Sequence, residues 1–170
     1  PSIQGQGKYK IDAGHSTTIY NGECVKISSG YVVGGNGSAA DIIGVLNGIF
    51  FNAADTLKPT FSNFYKATIT PANSEDTTAF VIDDPFQQYV VAADDATGVT
   101  TFLETYDMNA SAGSDTTGKS SSTLDIATTS ANGKQFRMLR SAEDPENEDA
   151  TAVRHSVIVV SNLNSFNGHN

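Results

Sequence analysis

Residues 16–51 read STTIYNGECVKISSGYVVGGNGSAADIIGVLNGIFF, a series of short β-branched and aromatic stretches separated by turn residues. The dipeptides Asn21-Gly22 and Asn47-Gly48 each lie between two apolar stretches. Asn-Gly in this context is a hairpin signal, because both residues tolerate the positive φ that a tight β-turn requires. The sequence therefore predicts a meander of short antiparallel strands over this part of the chain.

The rest of the chain continues the same pattern after a connection at 52–63. No window has an apolar period of 3.6 residues, and Gly, Pro, Asn and Asp punctuate the apolar runs. Four consecutive apolar residues at 157–160 predict a strand buried on both faces. About ten short strands predict an all-β fold, an antiparallel sandwich or barrel with little or no helix. The further strand candidates are residues 66–70, 77–82, 88–92, 100–105, 123–127, 135–140 and 155–161.

The first eleven residues differ in composition from the remainder of the chain. Residues 1–11 contain three Gly or Pro residues, two Gln and two Lys, without helical or strand periodicity. We expect them to form an extended N-terminal arm. Residues 12–170 are then a single β domain, and a smaller meander at 12–57 followed by a main barrel at 58–170 is an alternative division.

Composition limits the classes of partner. The 170 residues carry a formal net charge of −9. An acidic chain repels phosphate, so we expect neither a nucleic-acid partner nor an anionic membrane surface. Cys24 is the single cysteine, which excludes an internal disulfide and a Cys-based zinc site. No signal-peptide pattern and no long apolar stretch occur, so we expect synthesis in a cytoplasm.

One stretch matches a nucleotide-binding motif. Residues 113–120, GSDTTGKS, fit the P-loop pattern GxxxxGK[ST]. That chemistry needs a buried strand before the loop and a helix after it. Residues 107–112 are polar and small, and residues 121–130 are rich in Ser and Thr, which form helices poorly. We therefore predict a long polar loop over 109–122 rather than a nucleotide site.

No other motif predicts catalysis or a cofactor. The glycines at 34–37 lack dinucleotide-fingerprint spacing, and the three histidines form no HExxH pair. Acidic groups occur at 83–84, 94–95 and 143–149, the last within a polar loop at 141–151. Their spacing does not follow an EF-hand, so solvated turns are the simpler interpretation. The three histidines are His15, His155 and His169. We expect no catalytic residue, no metal ligand and no cofactor in this chain.

Four stretches of the chain share a pattern with a known family. They are an acidic Asp-Pro turn that leads into an aromatic strand at 83–94 (DDPFQQYVVAAD), residues 117–125 (TGKSSSTLD), a strand with an acidic Pro loop at 135–139 and 143–147, and a closing strand at 157–162. Together they resemble the cement, or decoration, proteins of tailed-bacteriophage capsids, and residues 20–33 and 43–48 also resemble phage head proteins. The resemblance implies an all-β subunit, jelly-roll-like or β-tulip-like, which binds the outside of the major capsid protein as a homodimer or homotrimer. It also implies a place on the virion exterior after synthesis in the host bacterium.

On this interpretation the N-terminal arm is an interface element. It would lie across a neighbouring subunit and add backbone hydrogen bonds to an exposed strand edge. Ile3, Tyr9 and Ile11 are the candidate apolar anchors, and Lys8 and Lys10 are candidates to meet acidic groups. A tail, baseplate or head-fibre attachment protein, or a carbohydrate-binding β-sandwich module, is the alternative.

Overall fold

In a computed structural model of the chain, residues 5–37, 41–109, 113–146 and 149–166 are described. Within them, eleven strands form two antiparallel sheets, and the helical content is two short 3-10 turns. The predicted all-β antiparallel class with little helix is confirmed. The strands are β1 (Gly7–Ile11), β2 (Cys24–Ser28), β3 (Tyr31–Gly34), β4 (Gly44–Asn52), β5 (Pro59–Ser62), β6 (Thr77–Ile82), β7 (Gln88–Ala92), β8 (Thr105–Met108), β9 (Leu124–Ser130), β10 (Phe136–Ser141) and β11 (Ser156–Ser161), and the 3-10 turns are Ala72–Ser74 and Val99–Thr101.

The described residues form two compact units with one sheet each. The chain passes between the two units several times. Residues 113–121, for example, belong to unit 1 although the strands that flank them in sequence belong to unit 2. Unit 1 comprises residues 5–35, 43–84 and 113–121, and unit 2 comprises 36–37, 41–42, 85–109, 122–146 and 149–166.

The sheet of unit 1 has the order β1-β6-β4-β2-β3, and β5 pairs with the second half of β4. β1 also contacts β3, at the other end of this order, so the sheet curls around a single apolar core. Alternation along β6 decides which side chains face inward, since successive residues are buried and half-buried in turn. The core comprises Ile11, Ile19, Val25, Val32, Ile43, Leu46, Ile49, Tyr65, Ala79 and Val81.

Residues 7–11 do not form a free arm. They are β1, which pairs with β6 in register from Gly7 opposite Val81 to Ile11 opposite Thr77. The physical reason is the apolar side chain of Ile11, which is fully buried in the core of unit 1. Residues 1–4, which include the candidate anchor Ile3, lie outside the described residues.

The two Asn-Gly dipeptides do not form the predicted hairpins. Asn21-Gly22 makes a turn with positive φ at Gly22 alone, whereas the tight hairpin turn needs it at both positions. The segment before this turn pairs elsewhere, through an isolated bridge between Ile19 and Tyr65. Gly48 lies inside the continuous strand β4, where the register with β6 shifts. It therefore marks a bulge and not a turn.

The sheet of unit 2 has the order β7-β11-β10-β8-β9. Ala93, directly after β7, pairs in parallel with Leu124 of β9, and the Asp94 amide donates to the Leu124 carbonyl at 3.0 Å. The first and last strands of the order therefore meet, and the sheet closes on itself. The strand predicted to be buried on both faces, β11, instead alternates: Val157 and Val159 are buried, and the residues between and after them are half-buried.

Other strand predictions vary in accuracy. The predicted bounds at 77–82 and 88–92 agree with β6 and β7. The predictions at 135–140 and 155–161 agree with β10 and β11 within one residue at each end. The predictions at 66–70 and 100–105 are wrong. The first segment is a turn, in which the Ile69 amide donates to the Lys66 carbonyl, and the second begins in a 3-10 turn before β8.

Candidate functional site

The outer side of the sheet of unit 1 carries three aromatic side chains, Phe50, Phe61 and Phe80, which we call the aromatic face. Phe61 is 65% exposed and Phe50 is 39% exposed, and Phe80 is half-buried. The rings of Phe61 and Phe80 lie 6.0 Å apart with planes tilted by 40°. This geometry falls within the favourable range for aromatic pairs.

Strand register places these rings on one side. Phe50 of β4 lies opposite Phe61 of β5 and opposite Thr78 of β6. Because directly opposed residues share a face and alternate residues repeat it, Phe80 lies on the same side as Thr78. The inward residue between them, Ala79, is fully buried. The aromatic face is therefore the side of the sheet opposite to the core.

Gly48 of β4 lies directly beside the ring of Phe61. It lies opposite Phe80 in the β4–β6 ladder, with φ of +146°. A Cβ atom at this position would lie 2.8 Å from Cζ of Phe61, closer than real side-chain contacts permit. The absence of a side chain at Gly48 thus makes room for the ring of Phe61.

Two lysines of β1 border the aromatic face. Lys8 lies opposite Phe80 in the β1–β6 ladder, and its Nζ is 6.0 Å from the centre of the Phe80 ring. Lys10 lies opposite Thr78, and its Nζ donates to Thr78 Oγ1 at 3.0 Å. Both lysines are exposed. The face thus combines an apolar centre with two positive charges along one side.

A small cavity of about 90 Å³ lies at the end of the aromatic face. Its lining includes Phe50 and Asn52 of β4, Lys10 of β1, and Glu75 and Asp76 from the segment before β6. Asp76 already accepts a hydrogen bond from the Ala13 amide at 3.3 Å. The cavity offers both acceptors and a cation beside an aromatic ring.

The structure separates the predicted interface residues by face. Lys8 and Lys10 lie on the outer side of the sheet, whereas Tyr9 and Ile11 point toward the core. The Tyr9 hydroxyl donates to Asp83 Oδ2 at 2.7 Å. Burial, and then this bond to a carboxylate, raise the pKa of Tyr9. Tyr9 and Ile11 are therefore structural groups of unit 1.

The P-loop match folds differently from a phosphate loop. The Ser114 amide donates to the Lys119 carbonyl at 3.0 Å, and the Gly118 amide donates to the Ser114 carbonyl at 2.7 Å. The Ser120 amide donates to the carbonyl of Asn21 at 2.9 Å. A P-loop needs such amides directed at phosphate. The segment after it leads into β9 rather than a helix, so residues 113–120 do not form a P-loop.

Side chains anchor this loop within unit 1. The Tyr20 hydroxyl donates to Asp115 Oδ1 at 2.8 Å, and Lys66 Nζ lies 3.4 Å from Asp115 Oδ2. The Tyr20 hydrogen bond, with Lys66 nearby, lowers the pKa of Asp115, and the same bond raises the pKa of Tyr20. The Tyr20 ring stacks on Phe64 with centres 5.8 Å apart. The loop is thus a structural element.

The histidines occupy structural positions where they are described. His15 is half-buried, 5.5 Å from the Tyr65 ring, and burial lowers its pKa. His155 is fully buried in unit 2, while His169 lies outside the described residues. Cys24 is buried in β2. Within residues 5–37, 41–109, 113–146 and 149–166, no three His, Cys, Asp or Glu side chains are grouped so that they could hold a metal ion.

Sequence reasoning did not identify the aromatic face. β5 lies inside the segment 52–63 that we interpreted as a connection, and Phe61 was therefore not assigned to a strand. The available signal was the alternation of residues 59–62, together with Phe50 in the preceding strand β4. Only the pairing of β4 with β5 shows that these rings share a face.

Comparison with known proteins identifies no relative. No protein-family model, no curated protein and no solved structure matches the chain. Over the part of the chain that the structure describes, no helix is long and apolar enough to span a membrane.

Proposed function

We propose that this chain is a non-enzymatic virion structural protein, which binds the outer surface of a phage capsid as a homo-oligomer and bridges major capsid subunits. The observation that carries the proposal is the aromatic face, where Phe61 is 65% exposed on a curled sheet. Large exposed aromatic side chains that lie side by side are typical of protein-binding surfaces. The resemblance of residues 83–94 and 117–125 to capsid cement proteins supports the choice of partner.

The physical mechanism is linkage between binding and assembly. A protein that binds the assembled shell, but not the free subunits, shifts the equilibrium toward the shell. Several weak contacts in one oligomer act together, because each bound contact raises the effective concentration of the next. A chain with a net charge of −9 also stays soluble before it binds.

Capsid stability tests this function directly. Capsids assembled without the chain are mixed with the recombinant protein, sedimented, and heated in a thermal-shift assay. We expect the protein to sediment with the capsids at hundreds of copies per particle and to raise their disruption temperature. Binding of about a dozen copies would indicate a tail or portal position. No binding would contradict the proposal.

A carbohydrate-binding module is the second candidate, and the cavity beside Phe50 favours it. Asn52, Glu75 and Asp76 provide acceptors that sugar hydroxyls can use, and an aromatic ring lies beside them. A glycan array with the intact protein tests this candidate. Specific binding that is lost in Glu75→Gln would favour it over the capsid function.

A further inference from the structure

We infer that the aromatic face of unit 1 is the surface that docks on the capsid, and that its occupant is a loop of the major capsid protein with an apolar side chain flanked by carboxylates. The inference rests on the proposed function and replaces the N-terminal arm as the main attachment element. Four observations support it: exposure of the rings, the protection of the sheet edge, the charges around the face, and its area.

The apolar exposure on this face is concentrated and organised. Three phenylalanines share one side of the sheet, and two of them are in ring contact. Gly48 in the ladder leaves the space in which the Phe61 ring lies. Single exposed apolar residues are ordinary on protein surfaces, but adjacent aromatic rings on neighbouring strands of one sheet resemble the centre of an interface.

The face, and not the edge of the sheet, is suited to binding. β5 has only four residues and begins with Pro59, which has no amide proton to offer an added strand. Short edge strands with proline are a recognised protection against edge pairing. At the other end of the sheet, β1 is paired with β6 and contacts β3. An occupant is therefore expected to contact side chains of the face.

Charge selects the chemistry of the occupant. Lys8 and Lys10 stand along one side of the rings. Neither is a partner in the ion pairs within 4.0 Å that the described residues form, which include Lys66–Asp115 and Lys134–Asp107. Carboxylates on the partner would complement them, and Lys8 most directly, because Glu75 and Asp76 of this chain line the cavity beside Lys10.

Area supports a repeated lattice as the occupant. Four strands about 4.8 Å apart, with five residues of about 3.3 Å each, give a face of roughly 240 Å² in projection. Each partner in a stable two-body complex contributes about 800 Å². The aromatic face alone is therefore too small to hold a stable dimer. Repeated on an oligomer against a regular shell, such small contacts become strong together.

Co-sedimentation with capsids assembled without the chain tests the inference. We compare the wild type with Phe61→Ser, which removes an exposed ring, and with Lys8→Glu, which reverses a charge on the face. Phe86→Ser is the matched control, since it removes an equally large ring that is 79% exposed in unit 2. Circular dichroism confirms that each variant folds, and light scattering after gel filtration gives its oligomeric state.

We expect Phe61→Ser and Lys8→Glu each to weaken capsid binding about tenfold or more, and Phe86→Ser to bind like the wild type. If both face variants bind like the wild type, the inference is overturned and the proposed function stands. If Phe61→Ser instead dissociates an oligomer in the absence of capsids, the occupant is a second copy and our assignment is wrong. If the wild type does not bind capsids, the proposed function fails, and the inference fails with it.

Discussion

The curled sheet of unit 1 predicts very different costs for two isoleucines. Ile49 of β4 is fully buried in the core, whereas Ile27 of β2 is 41% exposed. Replacement by alanine removes three carbon atoms in each case. For Ile49, about 0.8 kcal/mol per buried carbon gives about 2.4 kcal/mol. A residual cavity of roughly 50 Å³ at about 24 cal/mol per Å³ adds about 1.2 kcal/mol.

We therefore expect Ile49→Ala to lower the free energy of unfolding by about 3.6 kcal/mol. For Ile27→Ala the transfer contribution scales with the buried fraction, and no cavity forms, so we expect about 1.4 kcal/mol. Urea denaturation followed by tyrosine fluorescence measures both, because the chain has six Tyr and no Trp. With a slope of about 2 kcal/mol per molar urea, the midpoints should fall by about 1.8 M and 0.7 M.

The comparison is controlled because both residues are isoleucines in strands of the same unit. The loss of intrinsic strand propensity is therefore similar and cancels in the difference. Equal shifts for the two variants would refute the burial of Ile49 in an enclosed core and the exposure of Ile27 at the end of β2.

Three further predictions concern the loop at 113–121 and the carboxylates of unit 1. Gly118→Ala places a side chain at φ of +69° and against the Phe64 ring. We therefore expect the free energy of unfolding, measured by urea denaturation, to fall by about 2 kcal/mol. The Tyr20 hydrogen bond lowers the pKa of Asp115, so the stability that this carboxylate contributes is present above the ordinary pKa and is lost as pH falls through the folded value. Loop amide NMR shifts should therefore titrate below the ordinary pKa of an aspartate, and Asp115→Asn should remove this step. Burial raises the pKa of Glu23, so the stability contributed by its protonated form is present below the ordinary pKa and is lost as pH rises through the folded value. The Glu23→Gln variant should therefore melt at or above the wild-type temperature at pH 7, and this difference in melting temperature should vanish near pH 4.

Each of these outcomes has a clear contradiction. An unchanged midpoint for Gly118→Ala would mean that the loop does not pack on Phe64 in solution. A persistent titration step in Asp115→Asn would assign it to another carboxylate. A Glu23→Gln variant that is less stable only at pH 7 would mean that the carboxylate charge stabilises the fold.

The sequence correctly predicted the strands in which apolar and polar residues alternate between two clear turns. The β6 and β7 bounds agree with the sequence prediction because β-branched and aromatic residues alternate there between clear turns. The strand at Gly7–Ile11 was missed although residues 8–11 alternate between polar and apolar side chains. The burial of Ile11 depends on pairing with Thr77, which lies 66 positions away and which the local sequence does not show. Asn47-Gly48 was misinterpreted because the same dipeptide serves turns and bulges.

The candidate site was hidden for a related reason. The aromatic face depends on cross-strand pairing. Phe50 lies opposite Phe61 on one side and opposite Thr78 on the other, and Phe80 is two residues after Thr78 in β6. Sequence alone gives the residues but not their register, and register decides whether rings share a face. Lys8 and Lys10 were identified as interface candidates from their residue type, although the arm in which we placed them is a strand of the sheet.

Cryo-electron microscopy of capsids mixed with the recombinant chain tests the central claim most directly. The proposal predicts density for this protein on the outer shell, at symmetry-related positions, with Phe50, Phe61 and Phe80 of unit 1 against the major capsid protein. Density on the shell with these side chains in solvent would contradict the docking surface. Absence of the chain from the shell would contradict the proposed function.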